Sequence, residues 1–247
     1  MCTVTIIPVR GSVRLACNRD ELRSRPAALL PVARGYGARK AIMPIDPVSD
    51  GTWIAVNDSG IAATLLNVNV HPNAADTDGP QKSSRGVLIP RLMACATVVD
   101  AEKVSAKTDP RQHSPFRLVL VDDKDISQFW SDGYSLRYER EALGDQPHLF
   151  TSSGLGDALV ERPRRELFEQ MFATGGDWVS QQDAFHRHSW PDRRHLSVCM
   201  EREEARTVSH TLIEIEPGRV AVTYVPDAPD RAQSLAPIAL PRLGANE

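Results

Sequence analysis

The residues nearest the amino terminus have the chemistry of an activated thiol nucleophile. Cys2 directly follows the initiator Met1, so removal of Met1 would place the thiol beside a free α-amino group with an ordinary pKa of about 7.7–8.0. Such an amine accepts a thiol proton near neutral pH, which makes nucleophile and base parts of one residue. The alternative is that Cys2 is a small apolar residue of an edge strand. Asn18, Arg19 and Asp20 follow and supply an amide, a cation and a carboxylate.

A β-hairpin is predicted to position these side chains. Residues 3–8 are rich in β-branched types, residues 10–12 form a turn, and residues 13–17 are again extended. Antiparallel pairing brings the open ends of a hairpin together. We therefore expect Cys2 to lie close to the segment Asn18 to Glu21, which joins Cys2 to Asp20.

The composition is that of an ordinary globular chain and argues against several partner classes. The 247 residues are 41% hydrophobic and 25% charged, with a net charge of −3 and a pI of about 6.2. No overall field therefore favours nucleic acid or an anionic membrane. Four cysteines lie far apart without a CxxC spacing, which favours a reducing compartment. Because no stretch approaches the roughly 20 apolar residues of a membrane span, we expect no transmembrane segment and a cytoplasmic location.

Strand and helix signals follow one another without a βαβ repeat. Strands are predicted over residues 51–56, 61–67, 116–121, 126–130, 135–138, 148–151, 195–200, 207–215 and 219–225. Helices are predicted over 86–99, 159–174 and 178–186, an irregular segment over 23–47, and an exposed loop over 71–84. This order indicates an α+β protein built on antiparallel sheets. We expect one domain over residues 1–247, with an irregular tail from about residue 226.

Several short motifs are spread in order over most of the chain. They are Met1-Cys2, Asn18-Arg19-Asp20-Glu21, Ser24-Arg25-Pro26, Gly51-Thr52-Trp53, Leu66-Asn67, Ser84-Arg85-Gly86, the segment 159–165 and Arg206-Thr207. With these motifs the chain resembles the NRDE family, also called the transport and Golgi organisation 2 family. That family is similar to the cysteine type of N-terminal nucleophile (Ntn) hydrolases, which includes penicillin V acylases and bile salt hydrolases.

The resemblance implies a fold and several site residues. The implied fold is an Ntn-hydrolase-like four-layer αββα sandwich of antiparallel sheets, with Cys2 at the start of a central strand. By the pattern of the acylases, Cys2 attacks an amide carbonyl, Asp20 holds the α-amino group, and Asn67 helps to form the oxyanion hole. A second oxyanion Asn falls near residues 151–153, where Ser152 or Ser153 could donate one hydrogen bond instead.

The implied catalytic set is completed by Asn18, Arg19 and Arg206, the last of which matches a late active-site arginine. Acylases carry an Arg immediately before the Asn of the second strand, where this chain has Cys17. Strand alternation puts Arg19 on the same face as Cys17. Arg19 therefore either takes over the missing charge or is a buried partner of Asp20 or Glu21.

Two other clusters have simpler explanations than a binding site. The spacing of His186, His188, His195 and Cys199 fits no common zinc pattern, so we expect no metal, and we expect no cofactor. The arginines at positions 162, 164 and 165 are predicted to form one exposed helix face, with an anionic head group as the alternative partner.

Two functions from different classes remain at this point. The first is a cysteine Ntn amidohydrolase that acts on a small amide or acylated compound. The second is a binding or trafficking protein without turnover, because members of the resembled family are linked to Golgi organisation, lipid metabolism and haem handling. Its ligand would be hydrophobic, such as haem or an acyl chain. Neither the substrate nor the oligomeric state follows from the sequence.

Overall fold

The architecture comes from a computed structural model that describes residues 2–69, 82–173 and 175–244. Met1 and most of the loop predicted over 71–84 lie outside these ranges. The removal of Met1 therefore stays a prediction.

Thirteen strands within the described residues form two antiparallel sheets. The first sheet has the order β10-β1-β2-β11-β12-β13, and the second has the order β3-β4-β5-β6-β7-β8-β9. The strands of the first sheet are β1 (Cys2–Val9), β2 (Ser12–Leu22), β10 (His148–Thr151), β11 (Ala205–Ile215), β12 (Arg219–Val225) and β13 (Ile238–Pro241). Those of the second are β3 (Leu29–Tyr36), β4 (Arg39–Ile45), β5 (Ile54–Asn57), β6 (Ala62–Asn67), β7 (Phe116–Val121), β8 (Asp125–Ser131) and β9 (Leu136–Ala142).

The helices cover the outer faces of the two sheets. The chain has α1 (Leu88–Leu92), α2 (Val98–Ser105), α3 (Asp157–Phe172) and α4 (Trp178–Arg187). Helices α1 and α2 pack on β5, β6 and β7 of the second sheet, whereas α3 and α4 pack on β10, β1 and β2 of the first. The expected four-layer αββα sandwich is confirmed. Within the described residues no helix is long and apolar enough to cross a membrane.

The largest core lies between the two sheets. Val4, Ile6 and Leu15 contribute from the first sheet, and Ile54 and Val119 contribute from the second; all five are fully buried. Two smaller apolar clusters lie outside this core, one between each sheet and the pair of helices that packs on it. Because both strands of the first hairpin are covered on both faces, their side chains are held rigidly by packing.

The predicted hairpin at the amino terminus is confirmed. Its register pairs Cys2 with Arg19 and Val4 with Cys17. Strand β2 also pairs with β11, which places Asp20 opposite Thr207. The amino-terminal hairpin is therefore central in the first sheet, with β10 on one side and β11 on the other.

Four predictions of secondary structure differ from the structure. The helix predicted over 86–99 is interrupted, since α1 ends at Leu92 and α2 begins at Val98. The segment 23–47, predicted to be irregular, contains the β3–β4 hairpin. Pro31 lies in β3 at a register shift of this edge strand, which is where a sheet tolerates a residue without an N–H group. Residues 195–200 are not a strand, since a 3₁₀ turn occupies Arg194–Leu196. The tail after residue 226 includes the short strand β13, which pairs with β12.

Candidate functional site

Cys2 is the first residue of β1 and lies at the wall of a small polar cavity. Its relative exposure is 3%. The cavity has a volume of about 220 Å³ and is hereafter called the nucleophile cavity. Its lining includes Cys2, Arg19, Glu21, Arg25, Asp46, Thr52, Trp53, Asn67, Arg85 and Gly86. The structure thus brings Cys2, Arg19 and Asn67 of the predicted set to one cavity.

The backbone amide of Cys2 faces the end of β10. This N–H group donates to Ser152 Oγ at 3.2 Å, and the Ser152 N–H donates to the Cys2 carbonyl oxygen at 2.9 Å. Removal of Met1 would turn that amide nitrogen into the α-amino group. The hydroxyl of Ser152 is therefore placed to accept a hydrogen bond from the amine, a different role from the oxyanion donor that the sequence suggested.

Asp20 lies on the helix-facing side of β2 and is buried, with 1% relative exposure. Its Oδ1 accepts a hydrogen bond of 2.7 Å from the hydroxyl of Thr207 on β11. Its Oδ2 lies 3.8 Å from Nη2 of Arg164, a residue of α3. Burial raises the pKa of Asp20, while the positive charge of Arg164 and the hydrogen bond from Thr207 oppose that rise.

Arg164 is fully buried, which overturns its assignment to an exposed helix face. Its Nη1 donates to Thr3 Oγ1 at 2.6 Å and to Thr151 Oγ1 at 2.8 Å. Nη2 and Nε donate to the carbonyl oxygens of Ser197 and Leu196 at 2.6 and 3.0 Å. Burial lowers the pKa of Arg164 to about 10, so the guanidinium stays charged at neutral pH.

A sequence signal for the burial of Arg164 exists, although it was missed. The buried residues of α3 recur every four positions as Val160, Arg164, Phe168 and Phe172. Residues four apart share a helix face. The arginine therefore belongs to the apolar stripe, whereas Arg162 and Arg165 are exposed and pair with carboxylates of their own helix as expected.

The thiols of Cys2 and Cys17 lie on the same face of the hairpin and influence each other. A hydrogen bond from Cys17 lowers the pKa of Cys2, with burial opposing the change and Arg19 adding to it. The same hydrogen bond and burial raise the pKa of Cys17 well above its usual value. Cys2 is thus the member of the pair that ionises first, as a nucleophile must.

Arg19 lies over the ring of Trp53, with the guanidinium carbon 4.2 Å from the ring centroid. Its Nη2 donates to Asp46 at 2.8 Å and lies 3.4 Å from Glu21. The prediction that Arg19 pairs with a neighbouring carboxylate thus holds for Glu21, and Asp46 is a partner that the sequence did not suggest. Asp46 also accepts from Nε of Arg25 at 2.8 Å, and these arginines hold the pKa of its carboxyl below the usual value against the effect of burial.

Two of the sequence motifs meet at the rim of the nucleophile cavity. The amide of Thr52 donates to the carbonyl oxygen of Gly86 at 3.0 Å. A Cβ atom on Gly51 would lie 2.6 Å from the carbonyl carbon of Gly86, so no other residue fits at this position without a shift of backbone. The contact orients Trp53 and Arg85 around the cavity. Asn67, the last residue of β6, belongs to the same lining.

Asn18 is placed on the opposite face of β2 from Cys2. Its Nδ2 donates to the carbonyl oxygens of His186 and Val198, at 2.9 and 3.0 Å. Its Oδ1 lies 3.0 Å from His186 Nδ1 and 2.8 Å from His210 Nδ1. Burial lowers the pKa of His186 well below its usual value and that of His210 to about 4. Asn18 therefore links β2 to the neutral imidazoles of His186 on α4 and His210 on β11, and it does not line the nucleophile cavity.

Arg206 lies on β11 and is paired with Asp227, a residue that follows β12. It lines a second cavity, described below, and is absent from the lining of the nucleophile cavity. The cluster at residues 186–199 likewise gives no metal site, because no group of three or more His, Cys, Asp or Glu side chains within the described residues could hold an ion.

Comparisons with known proteins agree with this geometry. The sequence profile of a family described as Transport and Golgi organisation 2 matches residues 1–211 of the chain. A search of curated protein sequences returned no match.

Solved structures with a similar fold are Ntn hydrolases. Penicillin V acylase from Agrobacterium tumefaciens is 14% identical, with a TM-score of 0.52 and coverage of 99% of this chain and 100% of the other. The C2A mutant of conjugated bile acid hydrolase from Clostridium perfringens is 11% identical, with a TM-score of 0.56 and coverage of 96% and 97%. The Caenorhabditis elegans ortholog of N-acylethanolamine-hydrolyzing acid amidase is 14% identical, with a TM-score of 0.56 and coverage of 86% and 92%. At these identities the likeness concerns the fold.

Proposed function

The chain belongs to the transport and Golgi organisation 2 family, and from the geometry around Cys2 we propose that it is an amide hydrolase of the N-terminal nucleophile type. Its substrate is a small amide or acylated compound. The carrying observation is that Cys2 lines a polar cavity together with Asn67 while its backbone nitrogen is hydrogen-bonded to Ser152 Oγ. The nucleophile cavity is thus lined by the Cys2 thiol and the side-chain amide of Asn67, and the nitrogen that would become the α-amine belongs to Cys2 itself.

Each step of the reaction uses one of these groups. After removal of Met1, the α-amine of Cys2 takes the thiol proton, and the sulfur attacks the substrate carbonyl carbon. The side-chain amide of Asn67 donates to the oxygen that becomes negatively charged. The α-ammonium then gives its proton to the departing amine, which leaves a thioester on Cys2. Water, deprotonated by the same α-amine, hydrolyses the thioester and releases the acid.

The residues behind the amine keep it in place. Ser152 Oγ accepts a hydrogen bond from the amine, and the negative charge of Asp20 favours the protonated form of the amine, which donates its proton to the leaving group. Arg164 and Thr207 fix the Asp20 carboxylate in turn. In this proposal Asp20 supports the amine through its negative charge, from the helix-facing side of β2, which is the role that the resemblance implied.

The alternative, a binding protein without turnover for haem or a lipid, has less support from the cavity. Its volume of about 220 Å³ lies below the 300–1,000 Å³ typical of drug-sized ligands. Its lining carries three arginines and two carboxylates, which suits a small polar group. This alternative would be favoured if the Cys2→Ala variant still bound the ligand and the wild-type protein formed no acyl-enzyme.

Intact mass spectrometry of untagged protein tests the proposal directly. We expect loss of Met1 and, after incubation with a panel of acyl amides, a mass increase equal to one acyl group. Cys2→Ala should abolish the adduct, whereas the matched variant Cys199→Ala should keep it, because burial and the neighbouring Asp230 raise the pKa of Cys199 to about 12. Retention of Met1 in protein that still turns over, or equal turnover by Cys2→Ala, would refute the mechanism.

A further inference from the structure

A second cavity, of about 350 Å³, lies directly beside the nucleophile cavity. The two cavities share Arg19, Glu21 and Arg25 as a common wall. A ligand that occupies both cavities would pass along this wall. We call it the arginine cavity, after its lining.

Cationic side chains dominate the polar lining of the arginine cavity. Four arginines, at positions 19, 23, 25 and 206, line it together with a single carboxylate, that of Glu21. The remaining wall is largely apolar and is formed by Leu22, Pro26, Ala28, Val208, Tyr224 and Pro226. The cavity thus combines a cluster of guanidinium groups with a hydrophobic side.

Among the carboxylates that pair with these arginines, Glu21 lines the arginine cavity, 3.4 Å from Nη2 of Arg19 and 3.7 Å from Nε of Arg25. Asp46, a second partner of Arg19 and Arg25, lines only the nucleophile cavity, and Asp227, the partner of Arg206, lines neither. Arg23 pairs with Glu201. Glu201 also lies at 3.1 and 2.6 Å from two further arginines, at positions 194 and 231, so one carboxylate serves three cations.

Two of the guanidinium groups also keep hydrogen-bond donors for a ligand. Arg25 uses Nε for Asp46, and Arg206 uses Nη1 for Asp227. No other hydrogen bond engages either group within residues 2–69, 82–173 and 175–244. A guanidinium carries five N–H donors in a planar fork that matches a carboxylate. Arg25 and Arg206 therefore retain donors while lining the same cavity.

We propose that the arginine cavity binds a carboxylate carried by the substrate while the scissile amide lies at Cys2 in the nucleophile cavity. The substrate class is then an N-acyl compound with a negative charge close to its amide. Arg206 contacts that charge. This assigns a function to Arg206 although it does not line the nucleophile cavity. This assignment rests on the proposed function only in calling the ligand a substrate, because anion binding is measurable without turnover.

Calorimetric titration of the full-length Cys2→Ala protein tests the proposal independently of catalysis. The probes are N-hexanoyl derivatives of glycine, β-alanine and 4-aminobutyrate, each compared with its uncharged carboxamide. We expect at least one acid to bind roughly tenfold more tightly than its carboxamide, because hydrogen bonds to charged groups are the stronger ones. Raising the salt concentration from 50 to 500 mM should weaken binding of the acid and leave the carboxamide unchanged.

Variants of the cavity arginines locate the effect. In the Cys2→Ala background, Arg206→Gln should remove most of the tenfold preference, and Arg206→Lys should retain part of it. Arg23→Gln provides a second test if Arg206→Gln fails to fold. The matched control Arg219→Gln, at an exposed arginine paired with Glu216 and absent from both linings, should keep the full preference.

Several results would overturn the proposal. They are equal affinities for every acid and its carboxamide, a preference that survives both Arg206→Gln and Arg23→Gln, or inorganic phosphate that binds more tightly than all three acids. None of these results bears on the acyl-enzyme experiment with wild-type protein. A failure of the arginine cavity is therefore distinguishable from a failure of the hydrolase mechanism.

Discussion

Replacing Arg164 with glutamine should be among the most damaging single changes to this protein. The variant loses four hydrogen bonds of 2.6–3.0 Å and leaves the buried Asp20 carboxylate without the Arg164 cation, 3.8 Å away. Removing one partner of a buried ion pair costs about 3–5 kcal/mol. The free energy of unfolding of a typical domain is about 5–15 kcal/mol, so the variant should still fold but with a much smaller free energy of unfolding.

Urea unfolding of wild type, Arg164→Gln and Arg162→Gln measures this cost. Arg162 lies on the same helix, but its side chain is 85% exposed and pairs with Glu166 at the surface. Its replacement should change the free energy of unfolding by less than about 0.5 kcal/mol. A similar small change for Arg164→Gln would refute the assignment of Arg164 as the buried support of Asp20.

The pH dependence separates an electrostatic role of Arg164 from mere packing. Burial already raises the folded-state pKa of Asp20 above its unfolded value, and Arg164 opposes the rise. Without Arg164 the folded pKa rises further, so Asp20 binds a proton more tightly in the folded than in the unfolded state. The variant is therefore closest in stability to wild type at low pH. Its stability relative to wild type falls as the pH rises from about 4 through the folded-state pKa of Asp20.

We therefore expect the destabilisation by Arg164→Gln to be larger at pH 8 than at pH 5. Adding Asp20→Asn to Arg164→Gln should remove this pH dependence and cost less than the sum of the two single changes, because the charge that needs compensation is gone. A destabilisation that is constant from pH 5 to 8, or strict additivity of the two changes, would show that the side chains act independently.

Three other measurements test the remaining parts of the structure. Gly51→Ala should destabilise the fold by about 1–3 kcal/mol in thermal unfolding, because its Cβ would meet backbone at 2.6 Å, whereas Gly218→Ala, with no atom within 4 Å, should have little effect. His186 and His210 are buried with lowered pKa values, about 4 for His210, so stability should be lost as pH falls from about 6.5 towards 4, and a flat melting profile over that window would contradict their assignment. Asn67→Ala should slow acyl-enzyme formation by about 10²–10³-fold with an unchanged circular dichroism spectrum, and an unchanged rate would remove it from the oxyanion site.

Local patterns were sufficient to predict the first hairpin and the general architecture. Strand propensity and one turn placed Cys2 and Asp20 at the same end of that hairpin, and the register that pairs Cys2 with Arg19 agrees. The Gly51-Thr52-Trp53 and Ser84-Arg85-Gly86 motifs lie more than 30 residues apart in the sequence, and only the structure shows that they touch. Contacts between distant segments leave no mark in local propensity, so they could not be predicted.

The missed features have identifiable physical reasons. Prolines over residues 23–47 suggested an irregular segment, but an edge strand tolerates proline and a hairpin forms there. Arg164 was predicted to be exposed because arginine is charged, although its position lies on the apolar stripe of α3. A buried arginine is stable when carbonyl and hydroxyl oxygens accept its hydrogen bonds. Nothing in the local sequence indicated that Asp46 belongs to the site, because its partners are distant in sequence: Arg19 lies in β2, and Arg25 lies in the loop after β2.

The order of the strands has a consequence for biogenesis. The second sheet is built from seven strands that follow one another along the chain, whereas the first sheet joins the amino-terminal hairpin to β11, and the hydrogen bond between Asp20 and Thr207 spans 187 residues. Pairings so distant in sequence form late, because the chain between them must first be ordered. On a ribosome, Cys2 therefore waits for the last quarter of the chain before its site closes. If Met1 is removed during synthesis, the enzyme that removes it therefore meets an amino terminus that is not yet folded, and a tag fused ahead of Cys2 would prevent the α-amine of Cys2 from forming.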